Sequence, residues 1–240
     1  MARKSFKAGA LTAPLPPVMV TVGDMESSNI ITIGWTGILS TIPPRTYISV
    51  RPERYSYKML KDKGEFVINL TTAAQARAVD YAGIYTGAKV DKFKECKLTK
   101  LKSKEVCAPT IAECPLALEC RVVEVIPMGT HDVFIADIVS VSCDDSIIDE
   151  AGKIRFDKAG LLAYAHGEYF ALGEKLGSFG FSTKKTTARK NTPKRTASES
   201  KTKTVPVENK TDSEEKKKRP FYLDAPRGKS SKSRTKGKKK

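Results

Sequence analysis

The stretch of sequence that decides the fold is residues 29–70, NIITIGWTGILSTIPPRTYISVRPERYSYKMLKDKGEFVINL. Runs rich in Ile, Val, Thr and Tyr are separated there by Gly and Pro, a pattern typical of β-strands joined by turns. The pattern predicts strands over 29–39, 45–52 and 65–72. The intervening ERYSYKMLKDKG predicts one short helix that ends at Gly64, because lysines followed by glycine are typical of a helix C-terminus.

The segments on either side of this stretch extend the same pattern. A strand is predicted over 18–24, two long strands over 116–129 and 131–145, and a brief strand over 152–157, while 73–87 has helical spacing. Six or more strands at short intervals with only two or three helices indicate an antiparallel barrel. The predicted class is therefore mainly β with short helices.

Charge is distributed very unevenly along the chain. Residues 184–240 contain 21 Lys and Arg against 6 Asp and Glu, whereas residues 1–183 contain 22 against 21. A segment rich in Lys, Thr and Ser with few large apolar residues cannot bury enough surface to offset the entropy of ordering. We therefore predict a folded domain over 1–183 and a disordered, Lys-rich basic tail over 184–240. The charge count gives no support for nucleic-acid binding by the domain itself.

Several classes of protein are disfavoured by composition. The chain has no run of about 18 apolar residues, so no membrane helix is predicted. Prolines interrupt the apolar part of the N-terminus, so no export signal is predicted. Five cysteines without a CxxC pair indicate reduced thiols, and a cytoplasmic location is expected. With only two histidines, no metal site is predicted.

The sequence lacks the common motifs of catalysis but contains a candidate phosphate site. GxGxxG, GxxxxGK[ST] and GxSxG are all absent, and no set of acid, base and nucleophile can be assembled. Such a chain is better suited to chemistry carried by a cofactor. Arg51 and Arg54 lie where a strand leads into a helix, an arrangement that favours phosphate binding. Their spacing alone leaves open whether they bind a ligand or face solvent.

A series of short motifs also carries a family resemblance, because they occur in order along one chain. They are Asn29, Trp35-Thr36-Gly37, Pro43-Pro44, Arg54-Tyr55-Ser56, Phe66-Val67-Ile68-Asn69, His131-Asp132-Val133-Phe134 and Tyr164 through Gly173. The pattern resembles the flavin reductase-like family, and within it the flavoredoxin-like branch of FMN-binding split β-barrels. The resemblance covers roughly residues 10–180, and the tail has no counterpart in it.

The resemblance implies a set of FMN-binding residues. Those expected beside the isoalloxazine ring are Trp35, Thr36, Gly37, Ser40 and Thr41. Those expected along the ribityl chain and phosphate are Ser49, Val50, Arg51, Arg54, Ser56, Asn69, Leu70 and Thr71. His131 is expected near an incoming nicotinamide. The resemblance implies no catalytic side chain, and it assigns no contacts to residues 75–95.

The sequence leaves three functions open. The resemblance implies an NAD(P)H-dependent flavin reductase that passes electrons to free flavin or to a redox protein, and it implies a homodimer. An alternative is a flavoredoxin-type electron-transfer protein without nucleotide turnover. The third possibility is a flavin-fold anchor whose basic tail binds nucleic acid or another polyanion, since clustered Lys and Arg neutralise phosphates.

Overall fold

The computed structural model describes residues 2–183. Its strands are β1 (Val18–Gly23), β2 (Ser28–Ile33), β3 (Thr36–Thr41), β4 (Pro44–Val50), β5 (Glu65–Leu70), β6 (Lys100–Leu101), β7 (Thr110–Ile111), β8 (Leu116–Pro127), β9 (Asp132–Cys143), β10 (Leu162–Ala165) and β11 (Glu168–Ala171). Its helices are α1 (Tyr55–Lys63), α2 (Ala76–Ile84) and α3 (Lys92–Glu95), with 3₁₀ turns at Ala73–Gln75, Asp145–Ile147 and Phe181–Thr183. The predicted mainly β class is confirmed. The predicted disordered tail over 184–240, and any polyanion contact through it, lie outside the described residues.

Seven strands form one antiparallel sheet in the order β2-β1-β5-β8-β9-β4-β3. The two edge strands, β2 and β3, are neighbours in sequence and are separated only by Gly34 and Trp35. The sheet must therefore curl until its edges meet. A hydrogen bond from the Ser49 amide to the Trp35 carbonyl, 3.0 Å long, ties the joint between the edge strands to β4.

The prediction of a single strand over 29–39 was wrong, because the chain passes from one edge of the sheet to the other within this run. The run breaks at the Gly34–Trp35 joint, where the Thr36 amide donates to the Gly34 carbonyl at 3.2 Å. Each half then pairs with a different partner, β2 with β1 and β3 with β4. The β-forming residues continue on both sides of the joint, so the sequence pattern does not show the break.

The barrel interior and an outer layer share the apolar residues between them. Inside, Val18, Val20 and Val22 of β1 pack with residues of β2, β4, β5, β8 and β9 and with Leu60 of α1. Outside, Met19 and Ile30 pack against α2 and α3. Strand β1 is consequently buried on both faces, which explains why it is apolar at almost every position.

Helix α1 has the predicted end and an open start. It ends at Gly64, whose positive φ of 65° allows its amide to bond the Leu60 carbonyl. Its first turn contains no acidic residue, and Arg54 at the N-cap makes no side-chain capping bond. The amide groups at the start of α1 therefore have no side-chain acceptor among the described residues.

Later segments agree with the predictions in part. The two long predicted strands correspond to β8 and β9, which form the expected hairpin. The helix predicted over 73–87 is shorter, because a 3₁₀ turn precedes α2 and α2 ends at Ile84. The strand predicted over 152–157 was wrong, since a turn at Gly152 leaves only a single bridge from Ile154 to Ile148.

The described part of the chain contains neither a membrane-spanning helix nor a cluster of metal ligands. Within residues 2–183, every helix is too short or too polar to span a bilayer. In the same range, no three His, Cys, Asp or Glu side chains are grouped closely enough to hold a metal ion.

Asn69 is fully buried and joins three strands. Its amide nitrogen donates to the Met19 carbonyl on β1 at 3.0 Å, and its amide oxygen accepts from the Ile111 amide on β7 at 2.9 Å. Both ends of the side chain are therefore engaged in holding the sheet together.

We expect Asn69→Ala to lower the free energy of unfolding by about 2–4 kcal/mol, because it leaves a buried carbonyl and a buried amide without partners. Urea unfolding of the purified variant measures this change. Ser142→Ala, at an exposed position on β9, serves as the control and should leave the stability nearly unchanged. An Asn69→Ala protein as stable as the native one would contradict the structural role.

Candidate functional site

A cleft of about 340 Å³ opens where β2 passes into β3 beside the end of β4. Its lining residues are Ile31, Thr32, Ile33, Gly34, Trp35, Ser49, Val50, Arg51, Arg54 and His131. The cleft therefore lies at the joint between the two edge strands, where the barrel closes. Residues of β2 and β4 line it, so the sheet positions its walls.

One end of the cleft presents flat aromatic surfaces. Trp35 is 44% exposed, although it is the largest side chain in the protein. Its ring and the His131 ring are almost parallel, with an angle of 7° and centroids 6.4 Å apart. Gly34 beside them adds no side chain. An exposed indole face next to bare backbone is suited to a planar aromatic ligand.

A second, smaller cavity of about 100 Å³ is lined by two of the same residues, Ile31 and Arg54. The remaining residues that line it are Asn29, Glu53, Tyr55, Ser56, Tyr85, Thr86 and Lys92. It lies at the open start of α1, where the positive end of the helix dipole favours an anion.

Asn29 and Ser56 form a buried pair in this smaller cavity. The Asn29 amide donates to the Ser56 hydroxyl at 2.8 Å. Because the hydroxyl oxygen accepts this bond, its own proton is available to be donated to a ligand. The pair also connects β2 to the first turn of α1.

Lys92 is a buried cation, with only 4% of its surface exposed. Its ammonium group donates to the carbonyls of Ile30 and Ala82, both at 2.7 Å. A lysine ammonium has three protons, so one remains for a ligand. Burial, assisted by the positive charge of Arg54, lowers the pKa of Lys92 to about 8.

The charge balance of the smaller cavity favours an anionic ligand. Arg54 and Lys92 supply two positive groups, and Glu53 is the only carboxylate in its lining. The Glu53 carboxylate lies 3.7 Å from the Arg51 guanidinium. Among the described residues, neither Arg54 nor Lys92 forms an ion pair with a carboxylate. A phosphate group at this point would find positive charge and hydrogen-bond donors, so the donor set fits a phosphorylated cofactor.

The structure brings half of the residues predicted from the sequence to these two cavities. Those that line a cavity are Trp35, Ser49, Val50, Arg51, Arg54, Ser56 and His131. Those that line neither are Thr36, Gly37, Ser40, Thr41, Asn69, Leu70 and Thr71.

The polar residues of the second group have partners elsewhere. The Thr36 hydroxyl donates to the Tyr47 carbonyl, and the Ser40 hydroxyl to the Pro43 carbonyl. The Thr71 hydroxyl donates to the Pro17 carbonyl at 2.6 Å, and Asn69 is engaged as described above. The Asn69 and Thr71 side chains thus hold β5 against β1 and the preceding segment, and the expected contacts of Asn69, Leu70 and Thr71 with the cofactor stay a prediction.

Six polar or aromatic residues that line the smaller cavity were not among the predicted site residues. They are Asn29, Glu53, Tyr55, Tyr85, Thr86 and Lys92. Lys92 looks like one of many surface lysines in the sequence. However, the Asp91 side chain accepts bonds from the amides of Phe93 and Lys94 and so starts α3. The capped start of α3, with a lysine directly before a buried phenylalanine, is the one local signal for Lys92.

A family profile described as "Flavin reductase like domain" matches residues 11–173. Flavoredoxin of Desulfovibrio vulgaris (Miyazaki F) superposes with a TM-score of 0.71 and 33% identity, covering 76% of this chain and 100% of that one. An FMN-binding protein from Thermus thermophilus with bound 1-cyclohex-2-enone gives 0.63 and 26%, covering 74% and 97%. An uncharacterized protein of Archaeoglobus fulgidus is 34% identical over 143 residues, 60% of this chain and 80% of the relative.

The lowered pKa of Lys92 predicts how the stability of the protein changes with pH. The pKa of Lys92 is about 8 in the folded protein and 10.5 when unperturbed, so between these values the unfolded chain binds more protons. Stability should then rise with pH across this window. We expect the free energy of unfolding of the native protein, relative to Lys92→Met, to increase from pH 8 to pH 10.5.

Urea unfolding of both proteins across this range measures the difference, and the subtraction removes contributions from other titrating groups. Lys89→Met, at an exposed lysine nearby, is the control and should give a flat difference. A Lys92→Met difference that falls with pH would contradict the buried cation.

Proposed function

Since the chain belongs to the flavin reductase-like family, we propose that it is an FMN-dependent oxidoreductase whose flavin accepts a hydride from NADH or NADPH. The observation that carries this proposal is the pair of cavities, one with flat aromatic surfaces and one with an excess of positive groups, which share Ile31 and Arg54. The larger cavity lies within the range of about 300–1,000 Å³ typical of small-molecule sites. The family resemblance read from the sequence is confirmed, and FMN-binding proteins among the structural relatives support the choice of flavin.

Each end of the site would have its own task. Arg54, Lys92 and Ser56 would hold the phosphate at the start of α1, while Trp35 and the bare backbone at Gly34 would lie beside the ring. Bound FMN supplies the redox chemistry, as an acceptor of hydride and a donor of electrons to a further acceptor. The protein contributes binding, orientation and charge neutralisation, and this requires no acid or base from a side chain.

The first experiment is reconstitution of the purified protein with FMN, followed by anaerobic addition of NADH or NADPH. We expect a protein-bound flavin spectrum that is bleached by at least one of the two nucleotides. FMN with nucleotide but without protein is the control. Failure to bind FMN would overturn the proposal as a whole.

A second candidate function is electron transfer without nucleotide turnover. It is favoured by the likeness to a flavoredoxin, which this chain matches along that protein's entire length at 33% identity. In this case the native protein would bind FMN, neither nucleotide would bleach it, and a reduced redox protein would. The same reconstitution experiment therefore separates the two candidates.

We also propose that the protein is a homodimer. Ile38, Leu39 and Ile42 lie on edge strand β3 and the turn after it, and all three are exposed. Neighbouring exposed apolar side chains on an edge strand form a surface that a second chain can cover. A second copy placed there would cover these residues at the same joint where the cleft opens.

We expect Ile42→Glu to shift the protein from dimer to monomer, because a charge would be buried in the interface. Ile42 is 87% exposed in the protomer, so the substitution should leave the protomer folded. Leu101→Glu, an exposed apolar residue on β6, is the matched control and should remain dimeric. Light scattering coupled to size exclusion measures the mass, and a monomeric native protein would contradict the proposal.

A further inference from the structure

The turn that follows α2 packs against the smaller cavity. The Thr86 carbonyl accepts hydrogen bonds from the amides of Lys89 and Val90, at 3.1 and 3.3 Å, and the Thr86 hydroxyl accepts one from Ala88 at 3.3 Å. Gly87 follows Thr86, which lines the smaller cavity, and lies against two further lining residues, Asn29 and Tyr55. The turn is thus held by its own hydrogen bonds while one glycine faces the cavity lining.

Gly87 approaches two lining residues too closely for any side chain. A Cβ atom at this position would lie 2.3 Å from the Asn29 amide oxygen and 2.7 Å from Cδ1 of Tyr55. Ordinary contacts of a Cβ atom are 3.4 Å or longer. A side chain at position 87 would therefore have to displace Asn29, Tyr55 or the turn.

The glycine is required by space and not by backbone conformation. Gly87 does not have a positive φ, unlike Gly23 and Gly64, so alanine is allowed by the backbone. The close contacts with Asn29 and Tyr55 are then the obstacle to a larger residue. Glycines in ordinary turns are usually explained by their conformation, so this one has a different cause.

Asn29 cannot move aside without changing the lining of the smaller cavity. It is buried on β2, and its amide is bonded to the Ser56 hydroxyl at 2.8 Å. Displacing it would break this bond or move Ser56 within the first turn of α1. Tyr55 is half exposed and its ring can swing away, so the effect of a side chain would act through Asn29.

We infer that Gly87 is a positioning residue for the phosphate group of the flavin. Because position 87 has no side chain, the turn can pack against Asn29 and hold it against Ser56. The Ser56 proton is then kept directed at a phosphate monoester. The inference rests on the proposed function, because it assumes that the smaller cavity receives that phosphate. It assigns a role to a residue without any side chain in a segment that contains no sequence motif.

The test compares the dissociation constants of FMN and riboflavin for Gly87→Ala, measured by flavin fluorescence. We expect the constant for FMN to rise by about tenfold or more and that for riboflavin to change by less than about twofold. Gly173→Ala, at a glycine with open space around it, is the control and should change neither. Thermal unfolding without flavin checks that the variant is folded.

A double-mutant cycle with Asn29→Ala separates positioning from general destabilisation. Asn29→Ala removes the overlap with Asn29, and the half-exposed Tyr55 ring can swing away, so adding Gly87→Ala to Asn29→Ala should weaken FMN binding by less than about twofold. If Gly87→Ala alone does not fold, the double variant should fold. An additive effect in the cycle, or equal weakening of FMN and riboflavin, would overturn the inference.

FMN binding by the native protein distinguishes a failure of the Gly87 inference from a failure of the proposed function. Native protein that binds FMN while Gly87→Ala binds it equally well overturns only the role of Gly87. Native protein that fails to bind FMN overturns the proposed function itself.

Discussion

The architecture depends on one constraint: a short length of chain, residues 28–41, supplies both edges of a seven-stranded sheet. Two residues, Gly34 and Trp35, form the only connection between these edges. Antiparallel pairing on each side fixes the strands, so the sheet has to bend into a barrel for the connection to be made. The cleft is a consequence of the same constraint, because β2 and β4 approach each other there without forming a continuous ladder.

The positive charge of the smaller cavity results from the helices that cover the outside of the barrel. Segments α2 and α3 bury Met19 and Ile30, and in doing so they carry Lys92 into the protein against two backbone carbonyls. A buried ammonium group is costly for the folded protein unless a counter-ion is present. Arg54 adds a second positive charge nearby, and a bound phosphate would neutralise both. A bound anion would therefore stabilise the folded protein at this cavity.

The sequence predicted cavity-lining residues whose surroundings are local, and it missed lining residues that only tertiary packing brings there. Arg54 and Ser56 could be predicted because a strand leading into a helix start is visible in a short segment. Lys92 was not predicted, because the capped start of α3 gives no indication that this helix folds back over β2. The structural role of Asn69 was missed for the opposite reason. A polar residue at a strand end looks available, and only the paired structure shows that its amide is used between strands.

The Gly34–Trp35 joint also bears on the order in which the chain folds. The β1–β2 and β3–β4 hairpins on either side of it need only nearby residues, whereas β4 must wait for β9, where Ala136 lies opposite Thr46. Contacts between residues so far apart in sequence form slowly. During synthesis, the two hairpins would therefore emerge first, with their apolar faces uncovered until the β8–β9 hairpin leaves the ribosome. That interval is the period in which the nascent chain is most exposed to aggregation.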